Sequence, residues 1–118
     1  SSVSIIEKKG FNLLKNINVG KWPYSVVHDK KNNNLYVTNQ RDDSISIINM
    51  DKKENVKTLV DVCEYPEGID ISYTQNLIVV ACWFEDNIIL INLNDFSVKK
   101  KIETSGGPRA FGRFIIKK

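Results

Sequence analysis

One histidine, two cysteines and three prolines in 118 residues are scarcities that each remove a class of protein. Zinc sites draw on closely spaced Cys and His ligands, and a lone His28 with the separated Cys63 and Cys82 supplies no such set. There is no Cys-x-x-Cys-His for covalent haem, and two cysteines do not make a disulfide scaffold. The longest apolar run, LIVVACWF from Leu77 to Phe84, has eight residues, against about 20 for a bilayer-spanning helix; no membrane span is expected. The chain also lacks a Gly-x-Ser-x-Gly elbow, a Walker-type glycine loop and a Rossmann fingerprint, so no residue is assigned a catalytic role. No apolar pattern of helical period runs for a useful length.

What is present is the composition of a globular domain, 42% apolar and 26% charged, enough on average to bury a core. The net charge of +3 is 17 Lys and Arg against 14 Asp and Glu. Most of the lysines stand in turn-like stretches such as DKKNNN, MDKKEN and VKKKIE. That is the distribution of solvated hairpins, and no nucleic-acid partner is expected. The first residues already alternate like a strand and no charged-then-apolar leader precedes them, so any targeting segment is expected upstream, if anywhere.

The prolines obey a period: Pro23, Pro66 and Pro108 lie 43 and 42 residues apart. The segments that follow the first two align as PYSVVHDKKNNNLYVTNQRDDSISIINMDKKENVKTLVDV and PEGIDISYTQNLIVVACWFEDNIILINLNDFSVKKKIETS. Upstream, SVSIIE matches SISIIN and NIILIN, and downstream PRAFGRFI opens a further copy. Each copy holds four apolar runs separated by Asn, Asp, Lys and Gly turn chemistry. The first run is Ser25 to His28, Gly68 to Ser72 and Arg109 to Ile115; the second is Leu35 to Asn39 and Leu77 to Cys82. The third is Val3 to Ile6, Ile45 to Ile48 and Ile88 to Ile91; the fourth is Leu13 to Val19, Val56 to Val62 and Val98 to Thr104. A period of about 40 to 45 residues with four strands per unit is what a propeller blade requires. An immunoglobulin-like sandwich has no reason to repeat a proline and a strand quartet in register.

The expected fold is therefore all-β, built of β-propeller blades of four antiparallel strands in an incomplete ring. Two full blades stand between parts of two others, with repeats at about 2–22, 23–65, 66–107 and 108–118. Eleven strands are expected where a closed ring of seven four-stranded blades needs about 28. The chain is accordingly read as the carboxy-terminal portion of a longer protein, or else as a small subunit that assembles into a ring; the remaining blades are then obligate partners.

Tyr36-Val37-Thr38-Asn39 within LYVTNQRDDSISIIN, with the connection INVGKWPYSV, resembles the repeat of the YVTN-type β-propellers. The second copy departs from the signature, with Ile78-Val79-Val80-Ala81 in its place. The resemblance implies a ring of about seven blades, a periplasmic or extracellular location, and relatives that include lactonase-like and cofactor-dehydrogenase propellers.

Blade geometry turns the repeat into a map, because antiparallel strands send alternate connections to opposite faces. One face, here the proline face, collects GKWPY, CEYPEG and SGGPRA with NQRDD and CWFED. The opposite face collects DKKNNN, SYTQN, EKKGFN, MDKKEN and LNDFS, the composition of solvated hairpins. The proline face concentrates aromatic and bidentate-capable residues of the kind found at binding surfaces. Its expected ligand- or partner-binding residues are Tyr24, Gln40, Arg41, Glu67, Trp83, Phe84 and Arg109. Tyr24, Glu67 and Arg109 each follow a proline, so they should line the mouth of the central channel.

Structural roles compete for the same residues. Trp22 and Tyr65 can pack between blades, Trp83 and Phe84 can be core or rim, and Glu67 and Arg109 can pair across blades. Cys63 and Cys82 share the proline face, as a disulfide in an oxidising compartment or as two buried thiols. His28 reads as a satisfied structural histidine. Carboxylates in EYPEGID and WFED could do acid-base work only with a raised pKa. Glu67 and Asn39 are calcium-ligand types, but two candidates make no site, so neither a metal nor a cofactor is assigned. The expected function is a non-enzymatic binding or scaffold propeller, and the expected partners are a protein, peptide or small molecule. The alternative is a lactonase-like or cofactor-dehydrogenase propeller whose site lies mainly in other blades.

Overall fold

In the computed structural model, which describes residues 1–117, ten strands form three antiparallel sheets and no helix. β1 (Ser2–Ile6) and β2 (Leu13–Asn18) pair alone. β3 (Pro23–Asp29), β4 (Asn34–Asn39), β5 (Ser44–Asn49) and β6 (Glu54–Leu59) form one four-stranded meander; β7 (Pro66–Ser72), β8 (Leu77–Cys82), β9 (Asn87–Asn92) and β10 (Val98–Glu103) form the second. The central pairs are in unbroken register, Asn34↔Asn49 to Asn39↔Ser44 and Leu77↔Asn92 to Cys82↔Asn87. The flanking pairs carry irregularities at matching places, Pro23/Ser25 and Pro66/Ile69 on the inner side and Ile47/Ile48 and Val98/Lys100 on the outer. Such bulges bend a strand and increase its twist.

Turn chemistry repeats with the strands. Left-handed backbone recurs at Asn33 and Asn76, at Asp43 and Asp86, and at Phe11, Lys53 and Phe96. Asn and Asp enter that region at little cost because their short side chains bond locally. The residue before each proline is also left-handed: Trp22 at φ 53°, Tyr65 at 52° and Gly107 at 52°.

The strands of the first complete blade are apolar on both faces because that blade is packed on two sides, whereas in the second β9 alternates between buried and half-buried residues. Tyr36, Ile45 and Ile47 join Ile69, Ile71, Ile78, Val80, Ile89 and Ile91 in the main core between the two meanders. Val37 and Ile48 turn the other way, onto Ile17 of the two-stranded sheet. Neighbours in sequence thus enter different cores, as a period of two dictates. β7 is buried throughout, whereas β10 is exposed along its length.

Two expectations are corrected. The fourth run of the first full blade ends at Leu59, short of Val62, because Asp61 is left-handed at φ 51° and interrupts the extended backbone before Val62 donates its N–H to the Asp43 carbonyl at 2.9 Å. The run Arg109 to Ile115 is not a strand. It lies beside β7, with Ala110 against Gly68 and the Phe114 and Ile115 N–H groups on Asp70 Oδ2, both at 2.9 Å. A ladder needs a hairpin mate. Among the described residues this segment has none, and left-handed Gly112 at φ 62° breaks its extension. Ten strands therefore stand where eleven were expected, and Lys118, the last residue of the expected 108–118 segment, lies outside the described residues.

Candidate functional site

The proline face is built by carboxylates of the β4–β5 and β8–β9 turns, which hold the connections entering the inner strand of their own blade and that of the next. Asp43 accepts the Tyr65 N–H at 3.0 Å, and Asp86 accepts the Gly107 N–H at 2.8 Å in the equivalent place. One residue earlier in each turn, Asp42 accepts the Lys21 N–H at 2.6 Å and Glu85 the Glu64 N–H at 3.1 Å. Burial pushes the Glu85 carboxyl up, but hydrogen bonds from Asn87 and Glu64 and the charge of Lys101 outweigh it and leave its pKa below the ordinary value. These acids are turn anchors, and in Glu85 the lowered pKa is the opposite of what a general acid needs.

On this frame the expected residues fall into three groups. In the first, Glu67 is fully buried at the start of β7 and receives Gln40 Nε2 at 2.6 Å, Arg109 Nε at 2.8 Å and Arg109 Nη2 at 2.8 Å. The Arg109 side chain, 47% exposed, lies with its guanidinium carbon 4.7 Å from the centre of the Trp83 ring. Trp83 stacks on Phe84 at 4.6 Å, and Tyr65 closes the cluster at 4.1 Å from Phe84 and 6.0 Å from Trp83. Phe84 presents its ring to solvent. In the second group Arg41 sits 3.6 Å over the exposed Trp22 ring. Tyr24 forms the third, 6.3 Å from Phe111.

The expected three-residue opening is thereby altered. Glu67 does not face solvent, because a buried carboxylate needs the donors that Gln40 and Arg109 supply. The pairing across blades is the role it fills. Its carboxylate also holds the Arg109 guanidinium in the charged form, raising its pKa. Calcium ligation by Glu67 with Asn39 does not fit, since both Glu67 oxygens are occupied and Asn39 Nδ2 is turned to Ser44 and Ser46. Among the described residues no group of three or more His, Cys, Asp or Glu could hold a metal. Neither aromatic is held between blades: Tyr65 packs on Trp83 and Phe84 of the blade it leads into, and Trp22 remains 54% exposed.

Cys63 and Cys82 form a disulfide, with both residues buried and Cα atoms 5.9 Å apart, which ties the β6–β7 connection to the end of β8. Cys82 occupies the place that Asn39 fills one blade earlier. His28 is exposed, with Nε2 3.0 Å from Asn33 Oδ1.

The residues most worth adding lie on the opposite face. Asp29 is fully buried and accepts from the N–H groups of Lys31 and Asn32, from Asn32 Nδ2, from Tyr36 Oη at 2.8 Å and from Tyr73 Oη at 3.3 Å. The only sequence signal was the tyrosine of YVTN itself. Burial would raise the Asp29 pKa, yet the bonds from Asn32, Tyr36 and the turn backbone prevail and lower it.

Solved structures share this architecture. Hydrazine synthase of Kuenenia stuttgartiensis is similar over 92% of the chain, with a TM-score of 0.83 and 27% identity. The dihydro-heme d1 dehydrogenase NirN in complex with DHE is similar over 92% at TM-score 0.79 and 12% identity. The β-propeller domain of Cps50 (Swd1) from Myceliophteria thermophila is similar over 75% at TM-score 0.63 and 15% identity. The chain spans only 31%, 24% and 26% of those three chains. No family model matches it, and no curated protein matches it either. The fold is that of β-propeller blades, two of them complete.

Proposed function

We propose that the chain belongs to a YVTN-type propeller of about seven blades, with blade repeats at about 2–22, 23–65, 66–107 and 108–118, and that its proline face binds a protein, peptide or small ligand. The observation that carries this reading is the cluster Tyr65, Trp83, Phe84 and Arg109. It offers stacked aromatic rings and a guanidinium at the surface, held rigid by the buried Glu67. Aromatic and Arg anchors in such settings carry most of the energy of binding interfaces. The residues assigned to the surface are Tyr24, Gln40, Arg41, Glu67, Trp83, Phe84 and Arg109, with Gln40 and Glu67 positioning the rest. The Cys63–Cys82 disulfide supports an exported location, periplasmic or extracellular, because reducing compartments keep thiols free.

The test uses the protein as isolated from its source. A component that co-purifies with it is titrated against the wild type and against a variant carrying Trp83→Ala and Arg109→Ala, with circular dichroism confirming that both are folded. Loss of affinity in the double variant supports the placement, and unchanged affinity refutes it. A propeller enzyme is the second reading, favoured by the enzymatic names of two structural neighbours, hydrazine synthase and NirN. Its cofactor or metal would be held mainly outside these blades. A visible absorbance band or stoichiometric metal in the isolated protein would decide for it.

A further inference from the structure

Between the inner strands β3 and β7, toward the face opposite the prolines, lies a cavity of about 340 Å³ that the segment around Gly112 and Arg113 covers. Its walls are the apolar side chains of Val26, Ile69 and Ile71, and its polar lining includes His28, Lys30, Tyr73 and Arg113. An adjoining cavity of about 510 Å³ shares Tyr73 and Arg113 and reaches Lys117. The two form one cleft with an apolar floor and a cationic rim. Volumes of a few hundred Å³ with a few convergent polar groups are typical of small-molecule sites.

The exposed cations of the cleft stand without ion-pair partners among the described residues. Neither Lys30 nor Arg113 forms an ion pair among the described residues, where the pairs found are Lys101–Glu85 and Arg109–Glu67. The carboxylate that lines the first cavity, Asp70, is 2% exposed, and its oxygens are taken by the N–H groups of Ile71, Phe114 and Ile115. Asp29, behind Tyr73, is enclosed by the five bonds already described. Both acids face inward to backbone and hydroxyl donors, so neither carboxylate pairs directly with Lys30 or Arg113. Cations beside low-dielectric walls focus an attractive field on an anion. Arg113 adds a planar fork suited to a carboxylate or a phosphate, and Asp70 positions it by holding the two N–H groups that follow.

We propose that this cleft binds a small organic anion, a carboxylate or phosphate on an apolar body. Lys30 and Arg113 hold the charge, and the β3–β7 wall holds the body. The site is separate from the proline face and does not depend on the reading given to that face.

Isothermal titration of the protein as isolated, with phenyl phosphate, benzoate, inorganic phosphate and phenol as probes, tests it. Phenyl phosphate, benzoate or both should bind, showing whether phosphate or carboxylate is preferred. Inorganic phosphate and phenol should each bind about tenfold more weakly, since each lacks one half of the recognition. Lys30→Ala and Arg113→Ala should each weaken binding about tenfold, Arg113→Lys should restore part of it, and Lys15→Ala, on the exposed β2 strand, should change nothing. Lys30 lies on the β3–β4 turn, away from the carboxy-terminal segment, so Lys30→Ala decides the matter even if Arg113→Ala loosens that segment. The proposal is overturned if neither aryl anion binds, if inorganic phosphate binds as tightly as phenyl phosphate, or if Lys30→Ala binds like the wild type.

Discussion

Replacing Asp29 by Ala should be among the most damaging single substitutions in this chain, and the cost can be worked from its partners. Five hydrogen bonds end on its carboxylate. The donors of Lys31 and Asn32 lie at an exposed turn and can pass to water, so their loss costs about 1 kcal/mol, as for a lost cap. The Tyr36 hydroxyl cannot, because Tyr36 is fully buried, and a stranded buried donor costs about 1–3 kcal/mol. The sum is about 3 kcal/mol, or a fall in Tm of about 12 °C at roughly 4 °C per kcal/mol for a chain of this size. Chemical denaturation followed by circular dichroism measures it.

A double-mutant cycle makes the same reasoning refutable. Tyr36→Phe should cost about 1 kcal/mol in the wild type but recover about 1–2 kcal/mol in the Asp29→Ala background, where it removes the stranded hydroxyl, a coupling of about 2–3 kcal/mol. The pH dependence has a definite sign. The folded Asp29 pKa is depressed, so its stabilisation is complete above the unfolded value of about 3.9 and is lost as pH falls through the lower folded value. The stability gap between wild type and Asp29→Asn should therefore close on acidification below about pH 4. Additive effects in the cycle, or a gap that does not narrow on acidification below about pH 4, would sink the account of Asp29 as a charged hub.

Other substitutions test other joints of the fold. Cys82→Ser, or reduction of the wild type, should cost about 3 kcal/mol, since the bridge closes a loop between residues 19 apart, and thiol titration should find no free thiol among Cys63 and Cys82 before reduction. Gly68→Ala would set a methyl group 2.5 Å from the Ala110 carbonyl oxygen, so it should push the carboxy-terminal segment off β7 and speed tryptic cleavage after Arg109 and Arg113. Trp22 and Tyr65 share one left-handed conformation but not one environment: Trp22→Gly should stay within about 0.5 kcal/mol of wild type, while Tyr65→Gly, which empties the ring cluster, should lose about 1–2 kcal/mol.

The strands were legible because apolar alternation and turn chemistry recur in register, and the departures have local causes. The strand expected through Val62 stops at Leu59 because left-handed Asp61 interrupts the extended backbone. The segment from Arg109 looked like its two predecessors but lacks a hairpin mate among the described residues, and a strand is a property of a pair. The proline face was legible as a cluster of residue types, whereas the burial of Glu67 was not, since a carboxylate in a turn-flanking position is usually solvated. The Asp29 hub escaped notice because Asp followed by Lys and Asn reads as an ordinary turn. Its depth depends on Tyr73, which comes from the next blade.

That last case points to a rule the repeat supplies. A ring of equivalent blades places each residue beside its counterpart one period away, so contacts between blades should cluster at separations near 43. The structure holds Glu67 with Arg109 at 42, Lys30 with Tyr73 at 43, Asp29 with Tyr73 and Asp70 with Phe114 at 44, and Asp70 with Ile115 at 45. Half a period, the distance between the two kinds of loop on the proline face, gives a second set: Lys21 with Asp42, Glu64 with Glu85 and Gly107 with Asp86 at 21, and Tyr65 with Asp43 at 22. The half-period set is nearly identical from copy to copy, always a turn carboxylate on a backbone N–H, and so it builds the scaffold. The full-period set changes chemistry at each step: the place after the proline is Tyr24, then Glu67, then Arg109. Specificity in this chain is therefore to be sought in pairs one whole period apart, where neighbouring blades are free to differ while the half-period bonds keep their backbones the same.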